Sequence, residues 1–252
     1  MSIFRCSAAR GIIITAVLLL LWWLLVQITG VPKFILPPPD LVIERLWALR
    51  TSLMHHTFVT FSEIVLGLVL GLSMGMCFAL LMLRFQPVRL WLLPVLLASQ
   101  AIPVFALAPI LVLWLGYGMT SKVVMAALII FFPITMTCFD GLRHSHAGYL
   151  DLAQTLGASR QQILLRVRLP HALPSIASGL RMAVAVAPIG AIIGEWVGSG
   201  EGLGFYMLHA NARMQVADMF AALFILALFS LLLYYSTDSL LKRAIPWHRE
   251  HA

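Results

Sequence analysis

Three sets of residues in this 252-residue chain have types and spacings that could do chemistry. Glu63 and Glu195 are carboxylates set within or beside long apolar runs, where a charge costs roughly 2.5–3.5 kcal/mol at mid-bilayer and less toward the end of a span. Gln100, Pro103 and Pro109 form the second set. Each proline removes a backbone donor. The carbonyls so freed, with the Gln100 amide one turn ahead of Pro103, offer neutral polar partners along a path; the same prolines read equally as a purely structural kink. The candidate path residues are therefore Gln100, Pro103, Pro109 and Glu195. The third set is His55-His56. Adjacent histidines point to different faces of a helix and no third ligand lies near, so the pair reads as solvated side chains rather than a metal site.

Covalent chemistry has no comparable set. A phosphate-cradling loop needs GxxxxGK[ST], and no lysine stands beside any glycine cluster. The stretch from Gly194 to Gly204 holds five glycines and reads as a turn rather than helix. No Ser/His pair, paired aspartates or HExxH lies within the apolar runs, and Cys6, Cys77 and Cys138 form no CxxC. The expectation is a chain that is not an enzyme, with no catalytic residue, no metal and no cofactor.

The elements that position these residues follow from composition. Apolar residues make up 61% of the chain and charged residues 11%, against roughly 45–50% and about 25% in a soluble domain. Mean hydropathy is +0.96. Too few polar side chains remain to cover a fold in water, and unbroken apolar runs exclude a strand barrel. The chain reads as an all-α polytopic membrane protein, one domain over 1–252. A spanning helix needs about 20 apolar residues, which predicts about six spans at 11–28, 57–83, 90–115, 122–139, 175–197 and 219–236. The first reads as an uncleaved anchor, because no small-x-small cleavage site follows Trp22-Trp23.

The net charge of +7 lies mainly between apolar runs, so it signals orientation rather than nucleic acid. With the N-terminus inside, twelve basic residues face the cytoplasm and five (Lys33, Arg45, Arg50, Lys122, Arg213) face outward. That asymmetry predicts both termini in the cytoplasm. Pro37-Pro38-Pro39 stops any helix between the first two spans. Asp40 then caps a short amphipathic stretch through Leu41, Leu46 and Leu49, laid on the outer membrane surface. Gly67, Gly71 and Gly75, and again Gly190 and Gly194, make bare stripes for close internal packing.

The longest inside loop, 140–174, is too short for a catalytic domain and too patterned for a linker. Leu152 and Leu156 share a helix face, and Gly157 fits the position just past a helix end. Ser159 with Gln162 three later fits a capping box for a second helix, which Pro170 stops. Ile163 and Val167, flanked by Arg160, Arg166 and Arg168, make an apolar stripe with basic edges, suited to anionic membrane lipid.

Asp151-Leu152-Ala153, then Gly157, then Val167-Arg168-Leu169-Pro170 resembles the EAA signature of permease subunits of ATP-binding-cassette importers, with every spacing intact. Asp151 stands for Glu and Val167 for Ile. Leu152 for Ala is the larger departure and bears on packing of the first loop helix. The wider resemblance takes in Leu36-Pro37-Pro38-Pro39, Glu195 and Gly202-Leu203-Gly204 and covers most of the chain. It is to the branch that imports nitrate, sulfonates, taurine and thiamine pyrimidine precursors. The stretches 100–118 and 187–215 are most similar to the pyrimidine-precursor permeases.

The resemblance implies a type I importer fold in the bacterial inner membrane, working as a homodimer. It implies a dimer of ATP-binding subunits below and a periplasmic or lipid-anchored solute-binding protein above, with no nucleic-acid partner. Asp151, Leu152, Ala153, Gly157, Val167, Leu169 and Pro170 would seat in the ATP-binding partner and carry its motion to the spans, which alternate between outward and inward access. The implied solute is a thiamine pyrimidine precursor of the hydroxymethylpyrimidine type, the alternative being a sulfonate, taurine or nitrate. Outside the class, a secondary transporter would need inward acids in paired broken helices, and the sequence shows no internal repeat.

Overall fold

The computed structural model describes residues 2–145 and 147–247, and among these it contains only helices and their connections. Arg249, counted in the charge asymmetry, lies outside the described residues. The helices are α1 (Ser2–Thr29), α2 (Pro39–Ala48), α3 (Arg50–Arg84), α4 (Gln86–Ser99), α5 (Val104–Leu115), α6 (Met119–Arg143), α7 (Ala147–Thr155), α8 (Arg160–Ile163), α9 (Leu169–Gly198), α10 (Leu203–Ala212) and α11 (Val216–Ala244). A π-helical turn, Leu164–Arg168, joins α8 to α9.

Helix α6 is the centre. The stripe Gly67, Gly71, Gly75 of α3 lies directly on it: a β-carbon at these positions would come within 2.6, 2.9 and 2.6 Å of Ala126, Ile130 and Ile134. Gly190 and Gly194 of α9 press on another side, against the backbone of Ala126 and Lys122. Without a hydrophobic force between helices in lipid, such close approach supplies the dispersion contacts that hold them together. Ile64, Ile130, Ile134, Phe139 and Leu142 fill the core between them. A smaller apolar cluster joins α2, α3, α9, α10 and α11 through Val42, Leu53, Ile192, Leu203 and Ala222.

The contacts fix the direction of each helix. The start of α3, the start of α6 and the end of α9 meet near Glu63, Lys122 and Glu195, which we call the turn end. The end of α3 meets α7, α8 and the π turn that leads into α9 at the opposite, knob end. Since α3 and α6 run the same way, α4 and α5 must return the chain across the bundle. Val112 of α5 duly packs on Gly198 at the turn end. The expected single span at 90–115 is in fact two helices bent by 103°. Pro103 stands just before α5 with extended backbone and stops continuation from α4, while Pro94 and Pro109 remain inside their helices.

Among the described residues, four helices or joined helices are long and apolar enough to cross a membrane: α3, α6, α11 and the continuous stretch Arg160–Gly198; α4–α5 adds a fifth as a bent pair. Helix α1 has 28 residues, with its apolar flank exposed along Ile13, Leu18 and Leu25. It touches the bundle at Trp22, whose ring lies 5.6 Å from Phe220.

Other expectations change in detail. Pro38, not Asp40, is the N-cap of α2; Pro39 opens the helix and Asp40 sits in its first turn. The second span begins at Arg50 rather than Thr57. Helix α9 runs on to Gly198, so the glycine-rich turn shrinks to Ser199–Gly202. Pro170 does not stop the second loop helix. The π turn widens the backbone there, with Leu169 N–H donating to Leu164 O, and the chain passes through Pro170 into α9.

Candidate functional site

At the turn end a polar cluster sits inside the bundle. Lys122 Nζ donates to Glu63 Oε1 at 2.9 Å, both side chains being almost fully buried. Glu195, 1% exposed, accepts from the Thr60 hydroxyl at 2.6 Å and from the backbone amides of Gly204 and Phe205. Leu203 N–H donates to the Thr60 oxygen at 2.8 Å and Gly202 N–H to His56 Nδ1 at 3.0 Å. Thus α3 and α9 together satisfy the first amides of α10, which a helix leaves without internal partners. His56 is not the solvated side chain the sequence suggested: it is partly buried and holds the turn, while His55 pairs with Glu201 at 3.3 Å. Lys122 is likewise not an outward loop charge but a buried partner of Glu63.

The Glu63–Lys122 pair escaped the sequence reading because 59 positions separate its members. The available signal was a carboxylate in the second apolar run and an ammonium opening the fourth, each costly alone. A second missed pair joins α2 to α11. Arg45 donates through Nε and Nη2 to both oxygens of Asp218, a fork-to-fork pairing. The Asp218 hydrogen bond holds the Arg45 guanidinium further above its already high ordinary value.

The knob end is built differently. Helix α7 closes on Gly157, whose φ of +76° only glycine adopts freely. Gly157 N–H donates to Gln154 O at 2.9 Å and Ala158 N–H to Ala153 O at 3.0 Å, the bond pattern of a Schellman motif. Ser159 and Gln162 form the expected capping box: Ser159 N–H donates to Gln162 Oε1 at 2.7 Å and Gln162 N–H to Ser159 Oγ at 3.3 Å. Of the coupling residues, Asp151, Leu152 and Gly157 are exposed, while Ala153, Val167, Leu169 and Pro170 are half-buried. Leu156 and Tyr149 add further exposed apolar surface. The path residues are not gathered in one place. Gln100 and Pro103 are exposed at the bend, Pro109 lies exposed along α5, and Glu195 is enclosed in the turn-end cluster.

Residues 67–249 match the family of binding-protein-dependent transport system inner membrane components. The chain belongs to that family. It is 55% identical over 236 residues to a probable ABC transporter permease of Haemophilus influenzae, covering 94% of this chain and 96% of the relative. It is 38% identical to the formylaminopyrimidine transport permease of Halalkalibacterium halodurans, over 92% of this chain and 93% of that one. It is also 38% identical to the riboflavin transport system permease of Chloroflexus aurantiacus, over 95% and 90%, and 31% identical to the taurine transport system permease of Escherichia coli, over 93% and 88%. An amino acid ABC transporter chain shares the fold with a TM-score of 0.64 at 16% identity, covering 81% of this chain and 97% of that one. The all-α polytopic architecture is therefore that of type I importer permeases. This permease is a transport subunit of the inner membrane, working with a separate ATP-binding subunit and a solute-binding protein, and ATP hydrolysis belongs to the partner.

Proposed function

We propose that this permease forms, as a homodimer, the path of an importer for a thiamine pyrimidine precursor of the hydroxymethylpyrimidine type. Two relatives at 38% identity are named for formylaminopyrimidine and riboflavin transport, and both solutes are nitrogen heterocycles. The single observation that carries the solute class is the likeness to the formylaminopyrimidine permease along nearly the whole chain. The bent pair α4–α5 supports it: no basic side chain lies between Leu90 and Gly118, where an anionic solute would favour one. The second reading, a sulfonate, taurine or nitrate permease, rests on the 31% identity to the taurine permease.

In this reading the knob faces the cytoplasm with both termini, and the turn end faces outward. Asp151, Leu152, Ala153, Gly157, Val167, Leu169 and Pro170 seat the ATP-binding partner. Gln100, Pro103 and Pro109 border the path, and Glu195 fixes the turn beside it. Alternating access is driven by the partner's ATP cycle. Three measurements test this. Uptake of labelled hydroxymethylpyrimidine should be competed by formylaminopyrimidine and not by taurine; competition by taurine alone overturns the solute class. Gln100→Leu should lower uptake several-fold at equal expression while Leu111→Ala has a smaller effect; wild-type uptake in Gln100→Leu removes that residue from the path. In a cysteine-free background, an impermeant thiol reagent should label Ser52→Cys from outside and reach Gln161→Cys only after the membrane is opened. The reverse pattern overturns the orientation.

A further inference from the structure

A cavity of about 480 Å³ opens between the inner end of α3 and the knob. Its polar wall is Arg84, Arg160, Arg168 and Gln154. Its apolar wall is Leu80 and Leu83 from the end of a spanning helix, with Leu150, Ile163 and Leu164 from the knob. Among the described residues no carboxylate pairs with any of the three arginines. Three uncompensated guanidinium groups around one cavity repel one another, and an anion between them relieves that repulsion.

The position of the cavity says which anion. Leu80 and Leu83 belong to the last turns of α3, so the cavity lies where that span leaves hydrocarbon. Arginine guanidinium groups at this level meet lipid phosphate, and a leucine about one turn deeper, as Leu80 is to Arg84, meets acyl chain. Helix α7 separates this cavity from the exposed part of the surface that the proposed function gives to the ATP-binding partner, Asp151, Leu152 and Gly157, a reading on which this step rests. Leu150 and Gln154, four apart, face the cavity. Leu152 and Leu156 lie about 200° around the helix and are 58% and 77% exposed. One face is thus left for a protein partner while the other looks back at the membrane.

We propose that the cavity holds the headgroup of one anionic phospholipid, its phosphate among Arg84, Arg160 and Arg168 and its acyl chains leaving along Leu80. The lipid would then brace the knob against α3, tying the seat of the ATP-binding partner to the bundle that moves. The prediction is a bound phosphatidylglycerol that survives extraction.

The test is native mass spectrometry of the complex carrying its ATP-binding subunit, after exchange into detergent doped with phosphatidylglycerol or phosphatidylcholine. Wild type should retain phosphatidylglycerol and not phosphatidylcholine. Arg84→Gln and Arg160→Gln should each lower retention about fivefold, the effect of one basic contact at a membrane surface, while Arg84→Lys keeps it. Inorganic phosphate should not displace the lipid. Equal retention of both lipids, or undiminished retention in the double Gln variant, overturns the proposal. Displacement by inorganic phosphate alone makes the cavity a simple anion site and overturns it too. Loss of the ATP-binding subunit from the double variant with lipid retention intact gives the cavity to the protein partner. Lipid retention is read on wild-type permease whether or not that subunit co-purifies, so failure of the coupling reading appears separately.

Discussion

The turn after Glu195 and the turn at the end of α7 are both made on a glycine with positive φ, +108° at Gly202 and +76° at Gly157, yet they are finished in opposite ways. At Gly202 the space is closed: a β-carbon there would fall on the Glu195 carboxylate. At Gly157 nothing lies within 4 Å of the same hypothetical atom. The first glycine is required by conformation and by room, the second by conformation alone. Around the first, every amide from Gly202 to Phe205 is answered by a side chain of this chain. Around the second, the backbone is satisfied locally while Leu152 and Leu156 stand out in the open. One turn is a finished part of the bundle. The other has the surface of a part meant to be covered.

The largest effect should come from breaking the finished turn. Glu195→Leu leaves the amides of Gly204 and Phe205 without their acceptor in a buried site and leaves the Thr60 hydroxyl only the His56 carbonyl. Removing one member of such a buried charged network costs about 3–5 kcal/mol, enough to take most of the stability of a domain. The expected outcome is little folded permease, read as loss of the monodisperse peak on size-exclusion chromatography in mild detergent. Glu195→Gln keeps one acceptor and should recover part of the yield. Normal yield and thermal stability in Glu195→Leu would show that the turn is held by something else.

The next effect separates stability from coupling. Gly157→Val places a β-branched side chain at positive φ, a strain of about 1–2 kcal/mol, in a turn with room around it. Global thermal stability should fall by only a few degrees. Uptake should be lost, because the strained turn reshapes the surface carrying Leu152 and Leu156. ATP-binding subunit co-purified with the variant measures this directly. Normal uptake would sever the exposed turn from coupling. A collapse of folded protein as large as that of Glu195→Leu would erase the distinction between the two turns.

The two regions also differ in what their residues disclose before folding. The knob is legible because its determinants are local: Gly157, Ser159 and Gln162 act on backbone groups within five residues, and the structure has each bond they predict. The turn end is not, because Glu63 with Lys122, Glu195 with Thr60 and Gly202 with His56 join distant parts of the chain. Sequence placed Glu195 near one end of an apolar run and could not show what it meets there. Pro170 was misleading for a related reason. Whether a proline ends a helix depends on whether the preceding turn can widen, and the π turn at Leu164–Arg168 has no marker of its own in the residue pattern. Pro103 differs in degree: the proline marks a break, but not the 103° angle at which α4, packed on α3, meets α5, packed on α6 and α9.

The smallest effect should come from the cap of α8, and it asks whether the knob is rigid before a partner arrives. The capping box holds two bonds of unequal length, Gln162 Oε1 at 2.7 Å from Ser159 N and Ser159 Oγ at 3.3 Å from Gln162 N. Ser159→Ala removes only the longer one, so its cost should lie at or below the usual ~1 kcal/mol for such a cap. Gln162→Ala removes the shorter bond and should cost more. Because α8 is four residues long and continues into the π turn, the loss should stay local. Hydrogen exchange in the segment from Ser159 to Ile163 should quicken up to about fivefold for ~1 kcal/mol of lost protection, with no change in thermal midpoint. Co-purification of the ATP-binding subunit should be unaffected, since the exposed seat residues Asp151, Leu152 and Gly157 lie before the cap and Val167, Leu169 and Pro170 after it sit in the π turn and the start of α9, which the cap does not hold. Exchange that quickens equally in α7 would mean that the two short helices form one cooperative unit, and the exposed turn at Gly157 would then owe its shape to α8 as well as to its own glycine.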